Sequence, residues 1–257
     1  MRFAITATDR YVGVLESLLE HGWQPLKIFT TPVDNRIHHN TAIIECARRL
    51  RVEVQISRLT DDNLRELGAR GCEALIVASY RWRIGDWRAH LRRAVNFHPS
   101  PLPRARGPYP LPAAIIEQQR SWGVSCHKLE HEFDAGDLLR CIEFPLSEHE
   151  DHDSLDLRTQ LAARRLSAEV AEHFEQDWAN ATPQGSGSYH PMWSAEDRRL
   201  DFSRPIAELL RRVRAFGPLE CLAHLGNTDF FVRRAVGWTE SHGVPRVRWS
   251  IPIISPW

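Results

Sequence analysis

The sequence lacks an excess of charge of either sign. Its 257 residues hold 33 Lys and Arg against 33 Asp and Glu, so the formal net charge is zero. Proteins that grip a nucleic-acid backbone or an anionic membrane usually carry a strong positive field, because each phosphate contact needs a cation. Nucleic acid and membrane are therefore not expected as partners.

Long apolar runs are missing as well. Charged residues interrupt every hydrophobic stretch, and the opening residues MRFAITATDR do not contain the apolar core of a signal peptide. The hydrophobic fraction is nevertheless 42%, which is ordinary for a globular domain with a core. We therefore expect a cytoplasmic protein.

The sequence also lacks paired cysteines, metal-ligand spacings and a glycine-rich loop of the dinucleotide-binding type. The five cysteines are odd in number and form no CxxC pair, which disfavours disulfides and a zinc centre. The turn Ala7–Arg10 has no glycine, which disfavours a dinucleotide loop. The acidic stretch Glu148–Asp153 is interpreted as a solvated helix N-terminus. His127 and His131 lie in a strand-like stretch and should face different neighbours, so no metal is expected.

What the first half of the chain does contain is an alternation of short apolar strands with amphipathic helices. Strands are predicted at Phe3–Thr6, Leu26–Thr30, Val52–Ile56, Ala74–Ser79 and Ala94–Phe97. Helical patterns lie between them, around Tyr11–His21, Ile43–Leu50 and Asn63–Ala69. This alternation predicts a doubly wound α/β domain with a mainly parallel sheet, whose sites lie beyond the carboxyl ends of its strands.

The second half begins with a proline-rich loop and continues with mixed elements. The loop is His98–Pro112, followed by a helix at Ala113–Gln119, strands at Gly123–Glu130 and Leu138–Phe144, and a helix from Ser154 to Phe174 capped by Asp153. A linker-like stretch, Ala181–Ser188, precedes a helix at Ile206–Val213 and strands at Phe230–Val232 and Val247–Trp249. We therefore divide the chain into a catalytic domain (1–182), a linker (183–189) and a small α+β or β-rich C-terminal domain (190–257).

Two polar side chains end one predicted strand. Asn96 and His98 fall on the same side because side chains alternate along a strand. Asp134 follows further along the chain in a D-x-G-D turn, where glycine permits a close approach to a ligand. An amide donor, an imidazole and a carboxylate suit acyl transfer to an amine, because they stabilise an oxyanion and handle the proton of the amine.

These motifs resemble those of the formyltransferases that use 10-formyltetrahydrofolate. The family pattern N-x-H-x-S-L-L-P-x-x-x-G is similar to NFHPSPLPRARG at Asn96–Gly107, and its D-x-G-D is similar to Asp134–Asp137. GVSCH at Gly123–His127 and the segment Asp197–Pro218 are also similar to family sequences. The resemblance implies a Rossmann-like fold in which Asn96 and His98 stabilise the oxyanion and Asp134 relays the proton.

The resemblance also implies binding residues. Folate, a co-substrate, would be held by Ala78, Ser79, Tyr80, Arg81 and Trp82 and by Phe133, Ala135, Gly136 and Asp137. The substrate loop would comprise Ser100, Pro101, Leu102, Pro103, Arg106 and Gly107.

The acceptor is expected to be a small-metabolite amine, either an amino sugar or an amino-acid derivative. This expectation rests on the zero net charge and on the short segment after the linker. The alternatives are methionyl-tRNA or a carrier-bound aminoacyl group, water in a hydrolase, and an inactive folate-binding module. A homodimer is compatible with the sequence, which does not fix the oligomeric state.

Overall fold

The computed structural model describes residues 1–34 and 36–239. Its main sheet has seven strands, in the spatial order β3-β2-β1-β4-β5-β6-β7. The strands are β1 (Arg2–Ala7), β2 (Gln24–Phe29), β3 (Glu53–Gln55), β4 (Ala74–Ala78), β5 (Arg93–His98), β6 (Ser121–Lys128) and β7 (Leu138–Pro145). Strands β1 to β5 are parallel to one another, and β6 runs antiparallel to both of its neighbours, β5 and β7. The predicted doubly wound, mainly parallel sheet is confirmed.

Helices cover both faces of this sheet. They are α1 (Val12–Glu20), α2 (Thr41–Leu50), α3 (Asp61–Ala69), α4 (Leu111–Ile116), α5 (His152–Ala179) and α6 (Ile206–Phe216). Alternate residues of β1 enter opposite cores: Phe3 packs with α1, α2 and α5, whereas Ala4 packs with α3. Burial on both faces explains why these strands are apolar throughout. In the described part of the chain, no helix is both long and apolar enough to cross a bilayer.

The boundaries of α4 and α5 differ from the expected ones. α4 begins at Leu111 rather than Ala113, because Pro112 fits the first helical turn, where its missing N–H is not needed. α5 is capped by Asp151 rather than by the expected Asp153. The Asp151 carboxylate accepts a hydrogen bond from the Ser154 N–H at 2.8 Å.

The acidic stretch before α5 is less solvated than its composition predicts. Glu150 and His152 are buried, with exposed fractions of 7% and 4%. Glu150 Oε2 accepts a hydrogen bond from Arg158 Nη1 at 2.8 Å, and the His152 ring stacks on Tyr109. The expectation of a solvated helix terminus is therefore wrong for these two residues.

The residues after position 190 pack against the catalytic half. α6 and the two-stranded sheet β8 (Cys221–Leu225) and β9 (Thr228–Val232) form a small core that includes Phe216 and contacts Ile116 of α4. Strand β8 was not predicted from the sequence. The predicted strand Val247–Trp249 lies outside the described residues.

Candidate active site

Strand β5 carries Asn96 and His98 at its carboxyl end, beside β4 on one side and β6 on the other. Asn96 is opposite Val77 of β4 and His127 of β6. Because Asn96 and His98 are two residues apart on a strand, their side chains emerge on one side. His98 is 4% exposed, so this corner of the site is shielded from bulk water.

Asp134 joins these two side chains from the turn between β6 and β7. Its Oδ1 accepts a hydrogen bond from Asn96 Nδ2 at 3.2 Å and lies 3.4 Å from His98 Nδ1. Its Oδ2 accepts a hydrogen bond from the Gly107 N–H at 2.9 Å. The backbone of Asp134 is left-handed, with φ of 55°, a conformation that Asp tolerates better than most residues and that often marks functional turns.

Both ring nitrogens of His98 face an oxygen acceptor. Nε2 lies 3.0 Å from the Ala105 carbonyl oxygen, and Nδ1 faces the Asp134 carboxylate. Burial lowers the pKa of His98, whereas the carboxylate and the carbonyl oppose this by stabilising the imidazolium. Burial is the larger effect, so the pKa of His98 lies below its usual value.

Asp134 remains ionised despite its burial. Burial raises its pKa, but His98, His127 and the Gly107 N–H outweigh that effect and bring the pKa to about 2. An ionised carboxylate beside an imidazole and an amide can hold a positive charge and take part in proton transfer.

His127 is a fourth member of this cluster that the sequence reasoning did not include. Its side chain is 1% exposed, and Nε2 lies 3.1 Å from Asn96 Nδ2 and 3.6 Å from Asp134 Oδ1. Its Nδ1 lies 2.8 Å from the Lys128 carbonyl oxygen, which fixes Nε2 as the acceptor in the neutral ring. The GVSCH stretch, in which His127 ends a buried strand beside β5, was the available signal.

The two predicted folate-binding segments lie at the same edge of the sheet. Ser79 follows β4 in a left-handed conformation, with φ of 74°, and Phe133 precedes Asp134. Arg83 follows the first segment directly, and its guanidinium lies 5.2 Å from the centre of the Phe133 ring, so the end of the first segment is close to the second. Phe133 is 56% exposed, which leaves a flat apolar surface beside the cluster.

The remaining residues of the predicted folate set have structural contacts. The Tyr80 hydroxyl accepts a hydrogen bond from the Leu59 N–H, and Arg81 lies over Trp82. Asp137 is paired with Lys128 at 3.2 Å. Gly136 is required sterically, because a Cβ there would lie 2.0 Å from the Lys128 carbonyl oxygen.

Part of the predicted substrate loop is interior. Ser100, Pro101 and Leu102 are buried, and the Leu102 N–H donates to Ser125 Oγ on β6 at 2.9 Å. These three residues support the loop from inside, and their assignment to the substrate loop stays a prediction. Pro103 and Arg106 are half-buried, and Gly107 is buried but contacts Asp134 through its N–H.

Within the ranges that the structure describes, no group of three or more His, Cys, Asp or Glu side chains could hold a metal ion. His127 faces Asn96, whereas His131 is near Arg83, so the two histidines have different neighbours as expected.

The fold is a doubly wound sheet, and an Asn–His–Asp cluster lies at the end of one of its central strands. The formyl transferase family matches residues 33–170, which is more than half of the chain. The protein therefore belongs to the formyltransferase family.

Its similarity to individual proteins is spread over enzymes with different acceptors. A methionyl-tRNA formyltransferase from Treponema denticola is 36% identical over 163 residues, which are 62% of this chain and 51% of the relative. The chain thus spans about half the length of that relative.

Two solved structures share the fold at low sequence identity. A sugar N-formyltransferase from Shewanella has a TM-score of 0.71 at 15% identity, covering 93% of this chain and 98% of that one. HypX from Aquifex aeolicus has a TM-score of 0.70 at 21% identity, covering 96% of this chain and 40% of that one. A further HypX structure is a complex with tetrahydrofolic acid.

Proposed function

We propose that this protein transfers a formyl group from 10-formyltetrahydrofolate to an amine, with Asn96, His98 and Asp134 as catalytic residues. The observation that carries the proposal is the convergence of an amide, an imidazole and a carboxylate at the end of β5, where Asp134 Oδ1 lies 3.2 Å from Asn96 Nδ2 and 3.4 Å from His98 Nδ1. Membership in the formyltransferase family and the folate complex of HypX support it.

Folate, as co-substrate, supplies the formyl group. Residues 78–82 and 133–137 would hold it, because their surroundings suit a flat heterocycle. Phe133 offers an exposed ring, and the left-handed turn at Ser79 turns backbone groups outward from the end of β4. Ligand sites of this kind combine apolar walls with a few polar backbone groups.

The reaction forms one bond and breaks one. The acceptor nitrogen bonds to the formyl carbon, and the bond between that carbon and N10 of folate breaks. Asn96 Nδ2 and protonated His98 donate to the formyl oxygen as negative charge develops on it. Asp134 stabilises the imidazolium and accepts the proton of the attacking amine, which returns to N10 as folate leaves.

In the structure, the Asn96 amide and the His98 ring face acceptors within the protein. Both hydrogens of the Asn96 amide have acceptors, Asp134 Oδ1 at 3.2 Å and His127 Nε2 at 3.1 Å. The His98–Asp134 separation of 3.4 Å is longer than a normal hydrogen bond. Asn96 must therefore exchange one internal bond for the formyl oxygen, which favours the charged oxygen of the transition state over the neutral carbonyl.

Alanine variants of the three residues test the catalytic assignment. Asn96→Ala, His98→Ala and Asp134→Ala are each expected to fold and to lower kcat about 10²–10³-fold, which is typical for loss of an oxyanion donor. The losses should not add in double variants, because the groups act as a unit. His131→Ala, at an exposed histidine, is the control, and near wild-type kcat in His98→Ala would refute the assignment.

The acceptor is proposed to be a small-metabolite amine that carries an anionic group, such as a nucleotide-linked amino sugar or an amino-acid derivative. A cavity of about 330 Å³ opens beside Tyr109, close to Gly107 in the chain, and its lining includes Arg10, Arg36 and Arg233 together with Asp9, Asp153 and Asp156. Arg10 is paired with Asp156, so Arg36 and Arg233 are the residues that would meet an anionic group. Arginine suits phosphate and carboxylate oxygens. The zero net charge gives no general field for a polynucleotide.

Methionyl-tRNA or a carrier-bound aminoacyl group is the second candidate, favoured by the similarity to the Treponema enzyme. The discriminating experiment offers 10-formyltetrahydrofolate with amino sugars and their nucleotides, hydroxylated ornithine, charged initiator tRNA and an aminoacyl carrier protein. Exclusive formylation of the tRNA would overturn the small-acceptor proposal. Release of formate without any accepted amine would indicate a hydrolase, and folate binding without turnover would indicate a binding module.

A further inference from the structure

The segment between the catalytic half and α6 lies directly across the candidate active site. Residues 184–190, which we call the clasp, bond to two parts of the chain: the loop at Ala105–Gly107 and the turn at Asp134–Gly136. Both parts hold the catalytic cluster. The hydrogen bonds of the clasp therefore hold the backbone that carries Asp134 and the backbone that anchors His98.

Gln184 connects the two parts through one side-chain amide. Its Nε2 donates to the carbonyl oxygens of Asp134 at 2.9 Å and Gly136 at 2.7 Å. Its Oε1 accepts from Arg106 Nε at 3.2 Å and Nη2 at 3.0 Å. All of the usual hydrogen-bonding capacity of the amide is used, so its position is fixed from both sides.

The rest of the clasp holds the loop. Ser188 Oγ accepts a hydrogen bond from the Ala105 N–H at 2.8 Å, and its carbonyl oxygen accepts one from the Arg106 N–H at 2.9 Å. A Cβ at Gly187 would lie 1.9 Å from the Pro103 carbonyl oxygen, and one at Gly107 would lie 2.0 Å from the His190 carbonyl oxygen. The two backbones are therefore in direct contact.

The backbone that the clasp contacts includes the atoms that orient the catalytic side chains. The Ala105 carbonyl oxygen faces His98 Nε2 at 3.0 Å, and the Gly107 N–H donates to Asp134 Oδ2 at 2.9 Å. Ala105 and Asp134 both have left-handed backbones, with φ of 55° in each case. Such conformations persist only when the surrounding contacts impose them, and the clasp supplies contacts at both positions.

We propose that Gln184 is a positioning residue that, together with Ser188, sets the geometry between His98 and Asp134 for the reaction. This inference rests on the proposed formyl transfer for its kinetic consequence, but its structural consequence at His98 is independent of turnover. Misplacement of reacting groups by about 1 Å can cost about 10²-fold in rate.

The test compares Gln184→Ala and Gln184→Met with Ser186→Ala, an exposed position in the same segment. Methionine keeps the length of the side chain without its hydrogen bonds. Both Gln184 variants are expected to lower kcat about 10- to 100-fold, and Ser186→Ala to leave kcat unchanged. Ser188→Ala is also expected to lower kcat. This variant provides the test if the Gln184 variants do not fold.

A second measurement follows the His98 imidazole by NMR during a pH titration. Loosening Asp134 removes stabilisation of the imidazolium, so the pKa of His98 should fall in the Gln184 and Ser188 variants and stay unchanged in Ser186→Ala. Unchanged titration of His98, or kcat equal to that of Ser186→Ala, would overturn the positioning role. A shifted titration in a protein that transfers no formyl group would uphold the positioning role and reject the proposed function.

Discussion

The pKa of the Asp134 carboxylate lies below its ordinary value, at about 2, because His98, His127 and the Gly107 N–H outweigh the effect of burial. A folded-state pKa below the unfolded value stabilises the fold above the unfolded pKa, and the benefit is lost as pH falls through the folded pKa. We therefore expect the free energy of unfolding of wild type to fall more than that of Asp134→Asn as the pH is lowered from about 5 to about 2. The difference between the two losses should be at most about 2 kcal/mol.

Urea unfolding at several pH values measures this effect. Asp137→Asn is the control, because the Asp137 carboxylate lies in the same turn but is 39% exposed. An identical acid slope in wild type and Asp134→Asn would contradict the expectation.

His127 orients Asn96, because it accepts one of the two amide hydrogens. His127→Ala removes that acceptor from a buried site and frees the amide to rotate. We expect kcat to fall about 10-fold, consistent with a lost orienting hydrogen bond of about 1.4 kcal/mol. Steady-state kinetics beside His131→Ala measure the effect, and equal kcat values in the two variants would contradict it.

Sequence reasoning located three members of the cluster but not this fourth one. Asn96, His98 and Asp134 occur in motifs whose spacing is visible along the chain. The relation of His127 to Asn96 depends on the antiparallel pairing of β5 with β6, in which the two residues face each other. Strand order and register are properties of the sheet, and a local pattern does not contain them.

At the scale of single elements, the start of α5 offers a direct test. Asp151 accepts the Ser154 N–H, whereas Asp153 is a half-exposed residue beside His152. We expect Asp151→Ala to lower the free energy of unfolding by about 1 kcal/mol, as is typical for loss of an N-cap, and Asp153→Ala to change it by less than about 0.5 kcal/mol. Denaturant titrations of both variants measure this, and the reverse ranking would restore Asp153 as the cap.

The strands were predictable because burial on both faces makes them continuous apolar runs. The N-cap of α5 was not predictable, because Asp151 and Asp153 are the same residue type two positions apart. The stretch 183–189 was expected to be a linker, since it is rich in glycine and serine. In the structure Gly187 permits close contact with Pro103 of the proline-rich loop, so composition alone could not distinguish a flexible connection from an ordered one.

At the scale of the whole molecule, the residues after the clasp are fastened to the catalytic half at several places. Ile116 of α4 packs against the small core around Phe216, and Trp193 Nε1 donates to the Tyr109 carbonyl oxygen at 2.9 Å. Gly217 lies against His152, where a Cβ would come within 2.7 Å. Tyr109 and His152, which take part in these contacts, line the cavity proposed for the acceptor together with Pro218 and Arg233, so both halves of the chain contribute to its walls.

The course of residues 184–190 has a practical consequence for protein engineering. Composition would recommend this stretch as the place to splice in a reporter or to attach a fusion partner, yet an insertion there would separate Gln184 from Arg106 and should inactivate the enzyme. Gly226 in the turn between β8 and β9 is the better permissive site, whereas the Gly185 carbonyl oxygen accepts a hydrogen bond from Arg106 Nη2 at 3.2 Å. We expect a short Gly-Ser insertion at Gly226 to keep activity and the same insertion at Gly185 to abolish it, and paired assays of soluble, folded variants measure the difference.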